Sequence, residues 1–327
     1  MPEESGPIIV TGAAGFIGSH VCEALLARNE RIVGVDNFDP FYDERAKQRN
    51  VECIERRARE TAGSFSLVRA DICDADAMTA LMSRTRPRGV IHLAAKAGVR
   101  PSIADPVGYT RANLMGTSVL FEAAKQSGVA RFVMASSSSV YGNNQKVPFA
   151  ETDDVSGPVS PYAATKRSCE LLAHSHWHLT RMPTACLRFF TVFGPRQRPD
   201  LAISHFMRRI SQGQEISMFG DGESSRDYTY IDDIVRGVIA SYDRIDRHSY
   251  RIWNLGGSSP VTLKDMIAAI SRTVGREARI KQLPMQPGDV ERTWADLSRS
   301  RAELDYAPAT PFDEGVRRQW AWMSAGG

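Results

Sequence analysis

The stretch Ile8-Ile9-Val10-Thr11-Gly12-Ala13-Ala14-Gly15-Phe16-Ile17-Gly18 runs an apolar strand into a glycine turn, and Val21, Ala24, Leu25 and Leu26 continue it as a helix. Strand, turn and helix in this order make a phosphate site. Glycines tolerate unusual backbone angles, let a pyrophosphate approach the main chain, and leave helix N–H groups pointing at it. The spacing is G-x-x-G-x-x-G, not the commoner G-x-G-x-x-G, so the turn needs support from elsewhere. It comes from a second strand over residues 31–35, which ends in Asp36 where a ribose-binding acid is expected. A carboxylate there accepts hydrogen bonds from a free ribose diol and repels a 2′-phosphate, so the cofactor expected is NAD and not NADP.

Further strands are expected at residues 66–68, closing on Asp71-Ile72; at 90–93, closing on Ala94-Ala95-Lys96; and at 131–135, closing on Ser136. Helical patterns at 76–83 and 113–126 lie between them. Strands alternating with helices imply an α/β chain with a Rossmann-type doubly wound parallel sheet, whose ligands bind at the carboxyl ends of the strands. A last strand at 184–190 precedes a region where the alternation is lost, with loops, short helices and the charged segment 220–227. Segments 230–240 and 251–255 read as returns to the sheet. The domains are therefore expected to interleave: an NAD-binding domain over 1–186 with returns near 228–257, and a smaller α/β substrate-binding domain over 187–227 and 258–327.

The stretch Ser160-Pro161-Tyr162-Ala163-Ala164-Thr165-Lys166 carries the chemistry. Serine is a good helix N-cap and proline suits the first helical position. A separation of four puts Tyr162 and Lys166 on one helix face, where the ammonium favours an ionised phenolate able to act as a general base.

Composition excludes several classes. A formal net charge of +3 over 327 residues is too small and too dispersed for nucleic acid or an anionic membrane. The basic segment 45–59 is interleaved with Glu52 and Glu55 and reads as the solvated face of a helix. Residues 1–9 lack the basic and apolar regions of a signal peptide, and no apolar run approaches the roughly 20 residues that span a bilayer. Five scattered cysteines, Cys22, Cys53, Cys73, Cys169 and Cys186, are expected to be reduced thiols of a cytoplasmic protein. The run His174-Ser175-His176-Trp177-His178 has no acid or cysteine nearby to complete a metal shell, so no metal is expected.

Taken together, the glycine turn, Asp36-Asn37, Asp71-Ile72, His92-Leu93-Ala94-Ala95, the segment Ser136 to Gly142, Tyr162-x-x-x-Lys166 and Arg226-Asp227-Tyr228 resemble the extended short-chain dehydrogenase/reductases. Within them, the chain looks like the nucleotide-sugar 4-epimerases. The resemblance implies that Gly12, Gly15 and Gly18 form the pyrophosphate turn, with the amides of Phe16 and Ile17 following. It implies that Asp36 and Asn37 hold the adenosine ribose, that Asp71 and Ile72 touch adenine, and that Leu93, Ala94, Ala95, Lys96 and Asn113 line the cofactor. Tyr162 then acts as base, Lys166 tunes it and holds the nicotinamide ribose, and Ser137 is the third catalytic residue, with Ser136 and Ser138 still open. Members of the family pair as homodimers through helices equivalent to 113–126 and 162–179, so a homodimer is expected, with Leu120, Leu171 and Leu172 as candidate core or interface residues.

The sugar is read from finer features. Dehydratases and decarboxylases of the superfamily carry an acid before the Val-Tyr-Gly triplet, whereas Ser136-Ser137-Ser138-Ser139-Val140-Tyr141-Gly142 has none. Where the galactose epimerases usually have asparagine, this chain has Thr191. Hydroxyls at Ser138, Ser139 and Thr191, with a guanidinium at Arg100 or Arg198, suit a sugar carboxylate. Arg226 and Asp289 match positions that hold diphosphate and uridine ribose, and Gln286-Pro287 replaces a diphosphate-binding arginine. The pattern is most similar to the UDP-glucuronate 4-epimerases, isomerases that convert UDP-glucuronate to UDP-galacturonate through a 4-keto sugar with recycled NAD. The alternatives are a UDP-glucose or UDP-N-acetylglucosamine 4-epimerase, a UDP-glucuronate decarboxylase, and a non-catalytic NAD or nucleotide-sugar sensor.

Overall fold

The structure, a computed structural model, describes residues 6–284 and 290–326, so Asp289 and Gln286-Pro287 lie outside the described residues. In chain order the first elements are β1 (Ile8–Thr11), α1 (Phe16–Leu26), β2 (Arg31–Asp36), α2 (Glu44–Arg59), β3 (Ser64–Arg69), α3 (Ala75–Thr85) and β4 (Gly89–His92). Short helices α4 (Val99–Ala104) and α5 (Pro106–Tyr109) follow, then a π-helical turn (Thr110–Met115), α6 (Gly116–Gln126), β5 (Phe132–Ser137), α7 (Pro161–Thr180) and β6 (Thr184–Phe189). The remainder comprises β7 (Thr191–Phe193), α8 (Ala202–Ser211), β8 (Glu215–Phe219), β9 (Ser225–Tyr230), α9 (Ile231–Arg244) and β10 (Tyr250–Leu255). It closes with β11 (Pro260–Thr262), α10 (Leu263–Val274), β12 (Arg279–Leu283), α11 (Ser298–Leu304) and α12 (Phe312–Ser324).

Two compact units emerge. The first takes in the residues up to Gly142 with Val155–Arg188 and Val235–Trp253; the second takes in Asn143–Asp154, Phe189–Ile234 and the chain from Asn254 onward. A seven-stranded sheet in the order β10-β6-β5-β4-β1-β2-β3 organises the first unit. β1 runs parallel to both β2 and β4, with Thr11 level with His92, so the winding reverses between β1 and β4. Ligands of doubly wound sheets sit beyond the carboxyl ends at such a reversal. β1 and β4 are buried along their whole length, as strands covered on both faces must be, and this explains their unbroken apolar runs. Ile9, Val35, Val90, Phe132 and Met134 pack with Leu81, Leu120, Phe121 and Cys169 from the helices. Leu120 is therefore core, whereas Leu171 is 55% exposed.

The second unit is more regular than the loops and short helices read from the sequence. Its β11 pairs antiparallel and its β7 parallel with β9, and β12 pairs parallel with β8. Arg226 and Asp227 thus lie in a strand, not a loop; Val261 and Pro260 supply the pairing that the local sequence does not announce. Helix α8 buries Ile203, Phe206, Met207 and Ile210 on one face. In α2 the solvated reading fails at Lys47, which is 6% exposed and donates to the Asp39 carbonyl at 3.0 Å.

Candidate active site

Backbone contacts close the glycine turn. Gly12 has φ +70°, its N–H reaches the Val35 carbonyl at 2.8 Å, and Gly15 N–H reaches the Gly12 carbonyl at 3.0 Å. A Cβ on Gly12 would lie 2.8 Å from the Ala94 nitrogen, and one on Gly18 would lie 2.0 Å from the Gly12 oxygen. No side chain caps α1 at Gly15, so the first-turn amides of Phe16 and Ile17 keep the positive end of the helix for an anion. Asp36 closes β2 beside this turn, 7% exposed, accepting from the amides of Ala14 at 3.1 Å and Phe38 at 2.8 Å. Its two oxygens have four acceptor positions, so these contacts leave capacity for a diol. Lys47 Nζ lies 3.7 Å away, and Asn50 donates to the Ala14 carbonyl at 2.8 Å, so α2 braces both turn and acid. A bare helix amino terminus, a cradle that any Cβ would fill, and a carboxylate at the neighbouring strand end fit the pyrophosphate and ribose of a dinucleotide.

The other expected cofactor residues divide by how their side chains are engaged. Asp71 accepts from Cys73 N–H at 2.9 Å, and Ile72 packs where a Cβ on Gly116 would meet it at 2.5 Å. The Asn37 carboxamide accepts from Asp39 N–H. Leu93 N–H donates to the Thr11 carbonyl at 3.2 Å and Ala94 N–H to the Thr11 hydroxyl at 3.2 Å, which holds the half-buried run through Ala95 against the glycine turn. Lys96 pairs with Asp105 at 2.9 Å, which raises the Lys96 pKa and lowers that of Asp105. Asn113 is 1% exposed and fully engaged: Oδ1 accepts from Lys96 N–H at 2.8 Å, and Nδ2 donates to the Lys96 carbonyl and to Thr165, both at 3.0 Å. It shapes the main chain at Lys96.

Helix α7 begins as its sequence requires, with Ser160 Oγ accepting from Ala163 N–H at 3.1 Å and proline following. Tyr162 in its first turn is 9% exposed, gives its N–H to Ser102 Oγ at 3.1 Å, and meets Tyr109 edge to face at 6.2 Å. Tyr109 carries no signal of this contact in the sequence, because it reaches Tyr162 only through the fold. One turn on, Lys166 is 5% exposed and donates to the Ala135 carbonyl on β5 at 2.9 Å.

The four serines separate once β5 is seen to continue through Ser137. Ser136 is buried and gives its proton to Glu170 at 2.6 Å. Ser137 Oγ accepts from Ser139 N–H at 3.1 Å, which uses a lone pair and not the hydroxyl proton. Ser138 and Ser139 are half-buried in the following turn. Glu170 and its partner Arg188 are residues that sequence reasoning missed, although Glu170 continues the Tyr162, Lys166 spacing by four.

Arg100 sits on α4 in the first unit and Thr191, Arg198 and Arg226 belong to the second. Arg198 holds Asp200 with Nε at 3.1 Å and Nη2 at 2.7 Å. Arg226 donates to the Ser225 carbonyl at 2.9 Å, and Thr191 pairs with Tyr228 along β7. Two histidines of α7 meet aromatic rings: His174 meets Tyr250 edge to face at 5.0 Å and His176 stacks on Phe121 at 4.7 Å. No group of three or more possible metal ligands occurs among the described residues.

A sheet reversal with a glycine turn at one strand end and a buried tyrosine-lysine helix beside another defines an extended short-chain dehydrogenase/reductase. The pattern of the GDP-mannose 4,6 dehydratase family matches residues 9–319, and the chain belongs to that family. It is 39% identical over 331 residues to a probable UDP-glucuronate 4-epimerase of Rhizobium meliloti, covering 96% of each chain. To the UDP-glucuronate 4-epimerase of Thermodesulfobacterium geofontis it is 39% identical over 318 residues, covering 97% of this chain and 96% of the other. The crystal structure of UDP-glucuronic acid 4-epimerase from Bacillus cereus, in complex with UDP-glucuronic acid and NAD, is 35% identical and similar with a TM-score of 0.91, over 98% of this chain and 100% of that one.

Proposed function

We propose that the chain is an isomerase that inverts C4 of UDP-glucuronate to give UDP-galacturonate. The carrying observation is the likeness, over nearly the whole chain, to a structure that holds UDP-glucuronic acid and NAD. NAD, when bound, supplies the acceptor that takes the C4 hydride and later returns it.

The chain's own residues divide the remaining work. The Tyr162 oxygen takes the proton from the sugar 4-hydroxyl as the C4 hydrogen leaves with its electron pair, and it gives the proton back when the hydride returns to the other face. Ser137 hydrogen-bonds the oxygen that becomes the ketone. Ser136 is consumed by Glu170, which favours Ser137 for this role. Lys166 holds Ala135 and with it the end of β5, and is assigned the nicotinamide ribose as well. Gly12, Gly15 and Gly18 with the amides of Phe16 and Ile17 hold the pyrophosphate; Asp36 and Asn37 hold the adenosine ribose; and Asp71 and Ile72 hold adenine. Leu93, Ala94, Ala95 and Lys96 form the cofactor-facing wall that Asn113 shapes.

Elimination or decarboxylation needs an acid or base near C5, and the segment Ser136 to Gly142 contains no carboxylate. The nearby Glu170 is neutralised by Arg188 and Arg167. Ser138, Ser139 and Thr191 are assigned to the sugar carboxylate, with Arg100 or Arg198 as cation. Arg226 is assigned to the diphosphate. Val107, Met115, Leu171 and Leu179 are large apolar side chains left at least half exposed on α5, the π-helical turn and α7, and they fit a homodimer interface. Four of the five free cysteines are buried, in keeping with a reducing, cytoplasmic setting, and no described helix is long and apolar enough to cross a membrane.

The test is proton NMR of the purified protein with UDP-glucuronate and no added NAD. The expected result is conversion to UDP-galacturonate; a keto-pentose or UDP-xylose as the main product, or turnover of UDP-glucose alone, would replace the reading.

A further inference from the structure

Glu170 is completely buried on α7, four residues beyond Lys166 and eight beyond Tyr162, on the same helix face. Its carboxylate receives four donors: Ser136 Oγ at 2.6 Å and Arg188 Nε at 2.9 Å on Oε1, with Arg188 Nη2 at 2.9 Å and Arg167 Nη1 at 3.1 Å on Oε2. These fill its four acceptor positions. Arg188, 1% exposed, closes β6 with its guanidinium 4.8 Å from the centre of the Tyr141 ring. Its Nη1 has no hydrogen-bond partner of good geometry, and Tyr141 adds its support to the cation beside that of Glu170. Burial works against the Arg188 charge, and the hydrogen bonds and charge of Glu170, with Tyr141 beside it, more than offset that and raise its pKa overall.

The pair therefore grips one segment at both ends: Ser136 through Glu170 and Tyr141 through Arg188, with the hydroxyls of Ser137, Ser138 and Ser139 between. We infer that Glu170 and Arg188 are positioning residues, which hold the serine turn at a fixed distance from the helix that carries Tyr162 and Lys166. This deepens the functional reading and rests on it, because it gives the turn hydroxyls work on the sugar. Stability is a weak reason to bury such a pair, since apolar replacement of both partners is often neutral or stabilising, whereas removal of one partner is severe. Position is what apolar replacements cannot supply. Neither methionine can accept the Ser136 proton or sit as a cation over Tyr141.

The experiment is the joint variant Glu170→Met with Arg188→Met, compared with the parent chain for melting temperature, kcat and KM on UDP-glucuronate, and hydrogen exchange of peptides covering 136–142. The expected result is a folded protein with KM within about twofold and kcat lower by about tenfold to a hundredfold, the scale of a misplaced reacting group. Exchange should rise over 136–142 and stay unchanged over the glycine turn at 12–18. A folded double variant with kcat within about twofold of the parent and unchanged exchange at 136–142 overturns the inference. If the double variant does not fold, Ser136→Ala, which leaves the ion pair whole, is decided by the same two readouts. A parent chain inert on UDP-glucuronate would overturn the functional reading, and the exchange over 136–142 would still decide the positioning role.

Discussion

Thr11 and His92, level on adjacent strands, share a hydrogen bond of 2.7 Å between the threonine hydroxyl and ring Nδ1. Its direction follows from their neighbours. Thr11 Oγ1 accepts from Ala94 N–H and still has its proton to give to Nδ1. Thr117 Oγ1 spends its proton on the Asn113 carbonyl and so accepts from ring Nε2 at 3.0 Å. His92 is held as the neutral Nε2–H tautomer, tying the strand before the glycine turn to Thr117 on α6.

The pH dependence of folding carries this signature. Burial, helped by the Lys166 charge, lowers the His92 pKa to about 3 from an ordinary 6.5. Between those values the unfolded chain binds the extra proton, so this residue's contribution is full above about pH 6.5 and is lost as pH falls toward 3. The slope from one group approaches ~1.4 kcal/mol per pH unit. Burial depresses His176 and His205 in the same direction, so the difference from a variant isolates His92. His92→Gln should be less stable at pH 7.5 yet show a flatter loss of urea midpoint down to pH 5. An unchanged slope would mean that His92 is not held neutral.

Gly18→Ala tests the cradle. A Cβ there would stand 2.0 Å from the Gly12 oxygen, in a turn with nowhere to move. Overpacking of this kind costs about 1–3 kcal/mol, and displacement of Gly12 also disturbs the pyrophosphate turn. The expected outcome is a lower melting temperature and protein that no longer co-purifies with NAD, read from nucleotide released on denaturation. Full retention of NAD would detach the turn from cofactor binding.

These elements were legible because their signals are local. A glycine turn between strand and helix, and a tyrosine four residues before a lysine, lie within one supersecondary unit. The second unit is harder to read: β9 finds β11 across the 32 residues that separate Asp227 from its partner Pro260, and no local pattern records that pairing. Four consecutive serines look alike until β5 is known to extend through Ser137, which leaves Ser136 to Glu170. Arg188 reads as one polar interruption in a strand, and only the fold supplies its carboxylate. The sequence pattern places Lys47 on a solvated face with its neighbours, but the Asp36 loop packs over it.

The serine turn should also guard the product. A 4-keto glucuronate is a β-keto acid, which loses carbon dioxide when the carboxyl bond stands perpendicular to the carbonyl plane. Ser139→Ala should raise the keto-pentose fraction several-fold over the parent chain, roughly the effect of about 1 kcal/mol from one lost hydrogen bond. Tyr162→Phe should lower turnover by about 10²–10⁴ without changing that fraction. NMR product analysis reads both, and an unaltered Ser139→Ala product ratio removes the hydroxyl from carboxylate control.

Leu171 and Leu179 stand two helical turns apart on α7, 55% and 78% exposed, and Val107 on α5 is 79% exposed. If they cover one another in a second copy, Leu171→Glu with Leu179→Glu should halve the mass found by light scattering at micromolar concentration while leaving the fold intact by circular dichroism. A parent chain already monomeric at that concentration would refute the interface.

Asp227 provides the opposite pH signature to His92. It is fully buried in the second unit, accepting from the amides of Gly257 at 2.7 Å, Ser258 at 3.0 Å and Ala295 at 2.8 Å. Burial outweighs these donors and raises its pKa to about 6 from 3.8. The folded chain therefore holds the proton more tightly, and the contribution is full below about pH 4 and falls as pH rises through 6. Asp227→Asn points an amide at backbone N–H groups and should cost about 1–3 kcal/mol. Because the variant has no charge to bury, its deficit should be largest near pH 4 and shrink by up to ~3 kcal/mol by pH 6.5. Urea titrations of both proteins across that range measure the difference directly, and a deficit that grows with pH would show that the backbone amides, and not burial, govern the carboxylate.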